Sequence, residues 1–149
     1  MKYAAILLAC MMSINVSAQA PQEKLASLQD LRWKYRVILV FAREPYRSNA
    51  LQNLDEFKAE IEERDIAWFV LDDNSLHTNY DGKLDDQLRK ELMNSYFTPT
   101  PAETAVRLIG KDGTLKSRSV DLDLEATFGL IDQMPMRRAE MRSGGNEQD

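Results

Sequence analysis

The sequence predicts a single α/β domain: a mixed four-stranded sheet with flanking helices, in the order β-α-β-α-β-β-α. Three observations carry that expectation. Arg36-Val-Ile-Leu-Val-Phe41 and Ile66-Ala-Trp-Phe-Val-Leu71 are short unbroken apolar runs, the pattern of strands buried on both faces. An amphipathic helical pattern lies between them, which makes a βαβ unit with parallel strands. Ala105-Val-Arg-Leu-Ile109 and Leu115–Val120 then flank Gly110-Lys-Asp-Gly113, and an Asp-Gly pair at that spacing signals a β-hairpin.

The first residues read as an export leader. Met1-Lys2 is a basic start, Tyr3–Met12 an apolar run, and Val16-Ser17-Ala18 places small residues where a signal peptidase cuts. The run is short and is followed by Ser13 and Asn15, so no stable membrane span is expected. Leu7-Leu8-Ala9-Cys10 offers an alternative in which Cys10 is lipidated, but the apolar run continues past the cysteine. Cleavage after Ala18 sends the domain to the periplasm or the medium. It leaves 131 of the 149 residues, with 18 basic and 24 acidic side chains and no cysteine. An exported domain without disulfides rests on its core alone. Its negative balance argues against nucleic acid as a partner.

In chain order, Gln22–Asp30 is a lead-in anchored by Leu25 and Leu28. Arg32-Trp-Lys-Tyr-Arg36 alternates basic and aromatic residues, the pattern of an edge-like strand entrance with a solvated basic face. After the first strand comes the turn Ala42-Arg-Glu-Pro-Tyr-Arg47. Ser48 or Asn49 can cap the helix that follows, and Leu51, Leu54, Phe57 and Ile61 form its apolar stripe to about Glu63. Asp72–Gly82 reads as a polar loop. A helix over about Leu84–Tyr96 turns Leu84, Leu88, Leu92 and Tyr96 inward, and Thr98-Pro-Thr-Pro101 ends it. The last helix starts near Asp121 or Asp123 with Leu124, Phe128, Ile131 and Met134 buried, and Pro135 kinks or ends it. The folded domain spans residues 19–142 after a leader at 1–18, and Ser143–Asp149, with no apolar residue, reads as a disordered tail.

Candidate chemistry concentrates in two places. The Ala42–Arg47 turn delivers a strand onto a helix N-terminus, where open α/β folds place ligands. Arg43, Tyr46 and Arg47 are the candidate ligand-binding residues there, for a small anion or a partner's carboxylate. Arg36 could join the two arginines around an oxyanion, with Tyr46 as proton donor. The alternative, in which Arg43 and Arg47 pair with acids such as Glu44 and Asp55, leaves only a solvated turn. The second place is the Asp72–Asp81 loop, where His77 with Asp72, Asp73 or Asp81 makes a weak metal-binding module conceivable. Calcium-loop spacing fails, because His77 stands where glycine is required, and one histidine is too few for zinc. No metal and no cofactor is expected.

The element order is that of the thioredoxin fold. Arg32-Trp33-Lys34-Tyr35-Arg36, Leu108-Ile-Gly-Lys-Asp-Gly113 and Ile131-Asp-Gln-Met-Pro-Met-Arg-Arg138 resemble a peroxiredoxin-like domain of unknown function. That family occurs in small exported bacterial proteins and in vertebrate extracellular sushi-repeat and coiled-coil-domain-containing proteins. The resemblance implies a thioredoxin-like fold without thioredoxin chemistry. Redox members place a thiolate in the turn after the first strand; this chain has Arg43-Glu44-Pro45-Tyr46 there. Their cis-proline stands before the third strand, near Thr104 or Ala105 here, whereas Pro99 and Pro101 come a few residues earlier. The expectation is an exported, non-catalytic module that binds an extracytoplasmic protein or a small anion; an enzyme using Arg and Tyr at the turn is the alternative.

Overall fold

β1 (Arg36–Ala42) is the central strand of the structure, a computed structural model that describes residues 23–145. All seven of its residues are buried, as a continuous run of Val, Ile, Leu and Phe requires. Full burial of each such side chain contributes about 1.5–3 kcal/mol. The expected export leader, residues 1–18 with Cys10, lies outside the described residues.

α1 (Tyr46–Glu56) and α2 (Lys58–Glu63) lead to β2 (Ile66–Leu71), which runs parallel to β1 from Arg36↔Ile66 to Phe41↔Leu71. β3 (Leu76–Thr78) turns back on β2, and α3 (Leu88–Tyr96) follows. β4 (Thr104–Ile109) lies antiparallel to β1, and β5 (Leu115–Ser119) pairs with β4. α4 (Leu124–Asp132) and α5 (Pro135–Gly144) close the described chain. The sheet order is β3-β2-β1-β4-β5. One face packs Leu39, Phe41 and Phe69 against Leu88, Leu92 and Phe97 of the α3 side. The other packs Ile38, Val40 and Val70 against Leu54, Ile61, Leu124, Phe128 and Ile131. No helix among the described residues is long and apolar enough to cross a membrane.

The expected order holds, with five differences. The sheet has five strands instead of four, because the Asp72–Gly82 loop contains β3. Asp72 accepts the N–H groups of Asn74 and Ser75 and closes a tight turn that brings Leu76 opposite Leu71. The helix expected from Ser48 or Asn49 begins at Tyr46 and is interrupted at Phe57, whose ring packs on Phe128 with centroids 5.8 Å apart. α3 starts at Leu88, because the preceding backbone pairs with the lead-in: Leu25 N–H donates to Lys83 O and Asp85 N–H to Leu25 O. The stretch before β1 is a turn and not an edge strand. Trp33 sits at φ 67° with its N–H on Lys111 O, so the period-two alternation has no sheet to serve. Ser143 and Gly144, expected in the tail, close α5, while 146–149 lie outside the described residues. Pro135 ends α4 and opens α5 at a position where its missing N–H costs nothing. The Glu44–Pro45 and Thr98–Pro99 peptides are cis.

Candidate functional site

β1 ends at the rim of the sheet, and the chain turns through Arg43-Glu44-Pro45 into α1. The first turn of a helix leaves N–H groups without intrahelical partners. Here Glu44 fills that place: its carboxylate accepts the Ser48 N–H at 3.3 Å and the Ser48 hydroxyl at 2.8 Å. Bonds from Ser48 and Arg47 hold the Glu44 carboxyl below its usual range, so it stays ionised at neutral pH. A carboxylate of the chain itself thus sits at the positive end of the helix dipole.

Both arginines of the turn are tied to acids. Arg47 donates to Glu44 at 2.6 Å, to the Asp72 carboxylate and to the Ser75 hydroxyl at 3.2 Å. Arg43 grips Asp73 with two bonds, at 2.7 and 3.1 Å. It also donates to the carbonyls of Pro101 at 3.2 Å and Ala102 at 2.8 Å, and lies 5.0 Å over the Phe41 ring. Burial pushes the Asp72 carboxyl up, but the Asn74 and Ser75 bonds and the Arg47 charge outweigh it and leave it lowered to about 2. The Arg43 bond lowers Asp73 likewise. The result is a fixed, nearly charge-balanced lattice joining the ends of β1 and β2 to the Pro101–Ala102 segment.

Of the candidate residues, the turn therefore brings together Arg43 and Arg47, each with a carboxylate already in place, and leaves Tyr46 46% exposed beside them. Arg36 does not join them. It stands at the opposite end of β1, a strand of seven residues and so about 20 Å long. Asp55 is not a partner either; Asp72 and Asp73 are, and a local reading of the sequence missed them because they lie on the next strand's loop. Of the residues in the metal alternative, Asp72 and Asp73 face arginines, and His77 is exposed on β3. Among the described residues, no group of three or more His, Cys, Asp or Glu is placed to hold a metal ion.

A second polar cluster lies at the amino end of β1. Arg36, 1% exposed, donates to Arg64 O at 2.8 Å and to Glu140 at 3.1 Å. Lys111, 9% exposed, bridges Asp65 and Glu140, both at 2.8 Å. Arg137 pairs with Glu63 at 2.5 Å and Asp132 at 3.2 Å, and Arg64 holds Asp132 at 2.7 Å. Buried cations need such partners. The expected solvated basic face of Arg32–Arg36 is thus wrong for Arg36, whose guanidinium is enclosed by α5 and the hairpin.

The sequence model of the family described as Domain of unknown function (DUF4174) matches residues 27–140. The chain belongs to that family. The structure of the DUF4174 chain is similar to that of reduced 2-Cys peroxiredoxin from Plasmodium vivax, with TM-score 0.53, 17% identity, and 76% of this chain and 84% of that chain covered. The exposed lipoprotein thioredoxin Etrx1 of Streptococcus pneumoniae also matches, with TM-score 0.49, 13% identity, and 72% and 90% covered. No curated protein matches the chain. The fold is thioredoxin-like, as the element order and the peroxiredoxin likeness show. The three stretches that resembled the family, Arg32–Arg36, Leu108–Gly113 and Ile131–Arg138, supply Arg36, Lys111, Asp132 and Arg137. They converge on the buried ion cluster and not on the turn, so in this DUF4174 chain they serve the fold's closure around α5.

Proposed function

We propose that this DUF4174 chain is an exported, non-catalytic thioredoxin-like module that binds a protein outside the cytoplasm through the rim at the carboxyl end of β1. The observation that carries the reading is the exposure of Tyr46 and Val120, 46% and 68%, between two adjoining grooves of about 190 and 760 Å³. The grooves share Thr104 and Asp121. Exposed aromatic and apolar groups on a polar rim are the composition of recognition surfaces. The lattice of Arg43, Arg47, Glu44, Asp72 and Asp73 fixes the backbone around Tyr46, which lowers the ordering cost of binding there.

Catalysis at the turn is disfavoured by its chemistry. Its strong acids and bases are committed to one another, and Glu44, held ionised, is a poor proton donor at neutral pH. The sequence's single cysteine is Cys10, which the leader reading removes. A free anion at the turn would have to displace Asp72 or Asp73 from its arginine. Export rests on the leader pattern of residues 1–18.

The test is affinity capture from the native envelope fraction with wild type and with Tyr46→Ala, judged by whether one species is retained by the first and lost by the second. Equal capture by both sinks the proposed surface. Turnover of peroxide or a disulfide by the purified cysteine-free domain sinks the non-catalytic reading.

A further inference from the structure

Arg107 and Arg118 stand directly opposite each other on β4 and β5, in register on the sheet face that carries Leu39 and Phe41. Like charges in directly opposed positions destabilise a sheet, and a neighbouring acid would relieve the repulsion. None is supplied here. Arg107 donates only to backbone carbonyls, Tyr96 O at 3.2 Å and Val106 O at 2.9 Å, and Arg118 has no hydrogen bond or ion pair among the described residues. Arg36, Arg43, Arg47, Arg64 and Arg137 are carboxylate-paired, while other arginines among the described residues are not, so what distinguishes Arg107 and Arg118 is that two unpaired cations face each other across the strands.

The pair is also placed to receive something. Arg107 is half-buried and lies 5.1 Å over the Phe97 ring, so its planar head is held in one orientation before any ligand arrives. Both arginines line the groove of about 760 Å³ that Pro99, Pro101 and Val120 also line. Glu103 and Asp121 line the same groove, yet neither reaches within ion-pair distance of the two arginines. Burial and the Arg118 charge both lower the pKa of Arg107, as expected for a cation pressed against another without compensation.

We propose that Arg107 and Arg118 form an oxyanion-binding site, taking a carboxylate, sulfate or phosphate group between two guanidiniums. Planar forked donors suit such groups, and an anion between them replaces the repulsion with charge-assisted hydrogen bonds. This goes beyond the protein-binding reading and does not depend on Tyr46. It also places anion chemistry away from the turn, whose arginines are already occupied.

Thermal unfolding at low ionic strength tests the site, using sodium sulfate, sodium phosphate and a blocked triglutamate peptide as probes, each against sodium chloride at equal ionic strength. Arg118→Glu supplies the missing carboxylate within the chain. Without any probe it should raise Tm by about 2 °C, the scale of one relieved cross-strand repulsion. Wild type should gain a saturable, probe-dependent rise that chloride does not give, and Arg118→Glu and Arg118→Ala should both lose it. A response to sulfate or phosphate identifies a tetrahedral anion as the ligand, and a response to the peptide identifies a side-chain carboxylate. The proposal is overturned if no probe exceeds chloride in wild type, or if either variant keeps the wild-type shift.

Discussion

Replacing Asp72 with asparagine isolates the charge that anchors the turn lattice. The carboxylate receives Arg47 and the N–H groups of Asn74 and Ser75, and its side chain is 13% exposed, so solvent screens it little. Its pKa is lowered to about 2 from 3.8. A tenfold change in proton affinity is worth about 1.4 kcal/mol, so the ionised form contributes on the order of 2 kcal/mol to stability. Asparagine keeps one acceptor oxygen for the turn but loses the charge, so Asp72→Asn should cost about 1.5–2.5 kcal/mol near pH 6. The sign of the pH dependence follows from the folded pKa lying below the unfolded one. The contribution is complete above the unfolded value of 3.8 and fades as pH falls through about 2. Urea unfolding of wild type and Asp72→Asn at a series of pH values from 6 down to 2 should show a gap that is constant at first and then narrows steadily over this interval. A gap that keeps its size down to pH 2, or none at pH 6, refutes the assignment of Asp72 as the ionised anchor of Arg47.

Glu140→Ala should destabilise by about 2–3 kcal/mol in urea, less than the full cost of a broken buried pair. Glu140 is 31% exposed, and Arg36 and Lys111 retain Arg64 O and Asp65. Phe128→Ala should cost about 3–5 kcal/mol, since it empties the contact with Phe57 and the Arg64 guanidinium, whereas exposed Arg138→Ala should stay within about 0.5 kcal/mol. Equal urea midpoints for those two variants would contradict this core. The purified domain beginning after Ala18 should show no thiol-dependent peroxidase or disulfide reductase activity in coupled assays, because a thiolate is required and that chain has no cysteine.

The legible parts of the fold were those written in apolar residues. β1 and β2 announced themselves as unbroken runs, and the stripes Leu88–Leu92 and Leu124–Phe128–Ile131 gave the helix faces that pack on the sheet. β3 escaped because three residues, Leu76-His77-Thr78, carry no readable period; it exists through the Asp72 turn and its pairing with β2. The burial of Arg36 escaped for a related reason. A charged residue beside aromatic ones looks solvated until its partners are known, and Glu140 lies 104 positions away. At the turn, the pairing of Arg47 with Glu44 was legible, whereas the pairing of the two arginines with Asp72 and Asp73 was not. Arg43 and Arg47 find Asp73 and Asp72 only because β2 runs parallel beside β1 and ends at the same rim. Local spacing could show Glu44 as a partner of Arg47, but not acids contributed by the next strand's loop.

The most direct measurement is site-specific photocrosslinking in the cells that make the protein, with a photoreactive amino acid at Tyr46 and, in parallel, at exposed Arg138 on α5. A binding module working through the rim predicts a discrete covalent adduct with one protein from position 46, outside the cytoplasm, and none from position 138. Absence of any adduct at 46, or the same adducts from both positions, contradicts it.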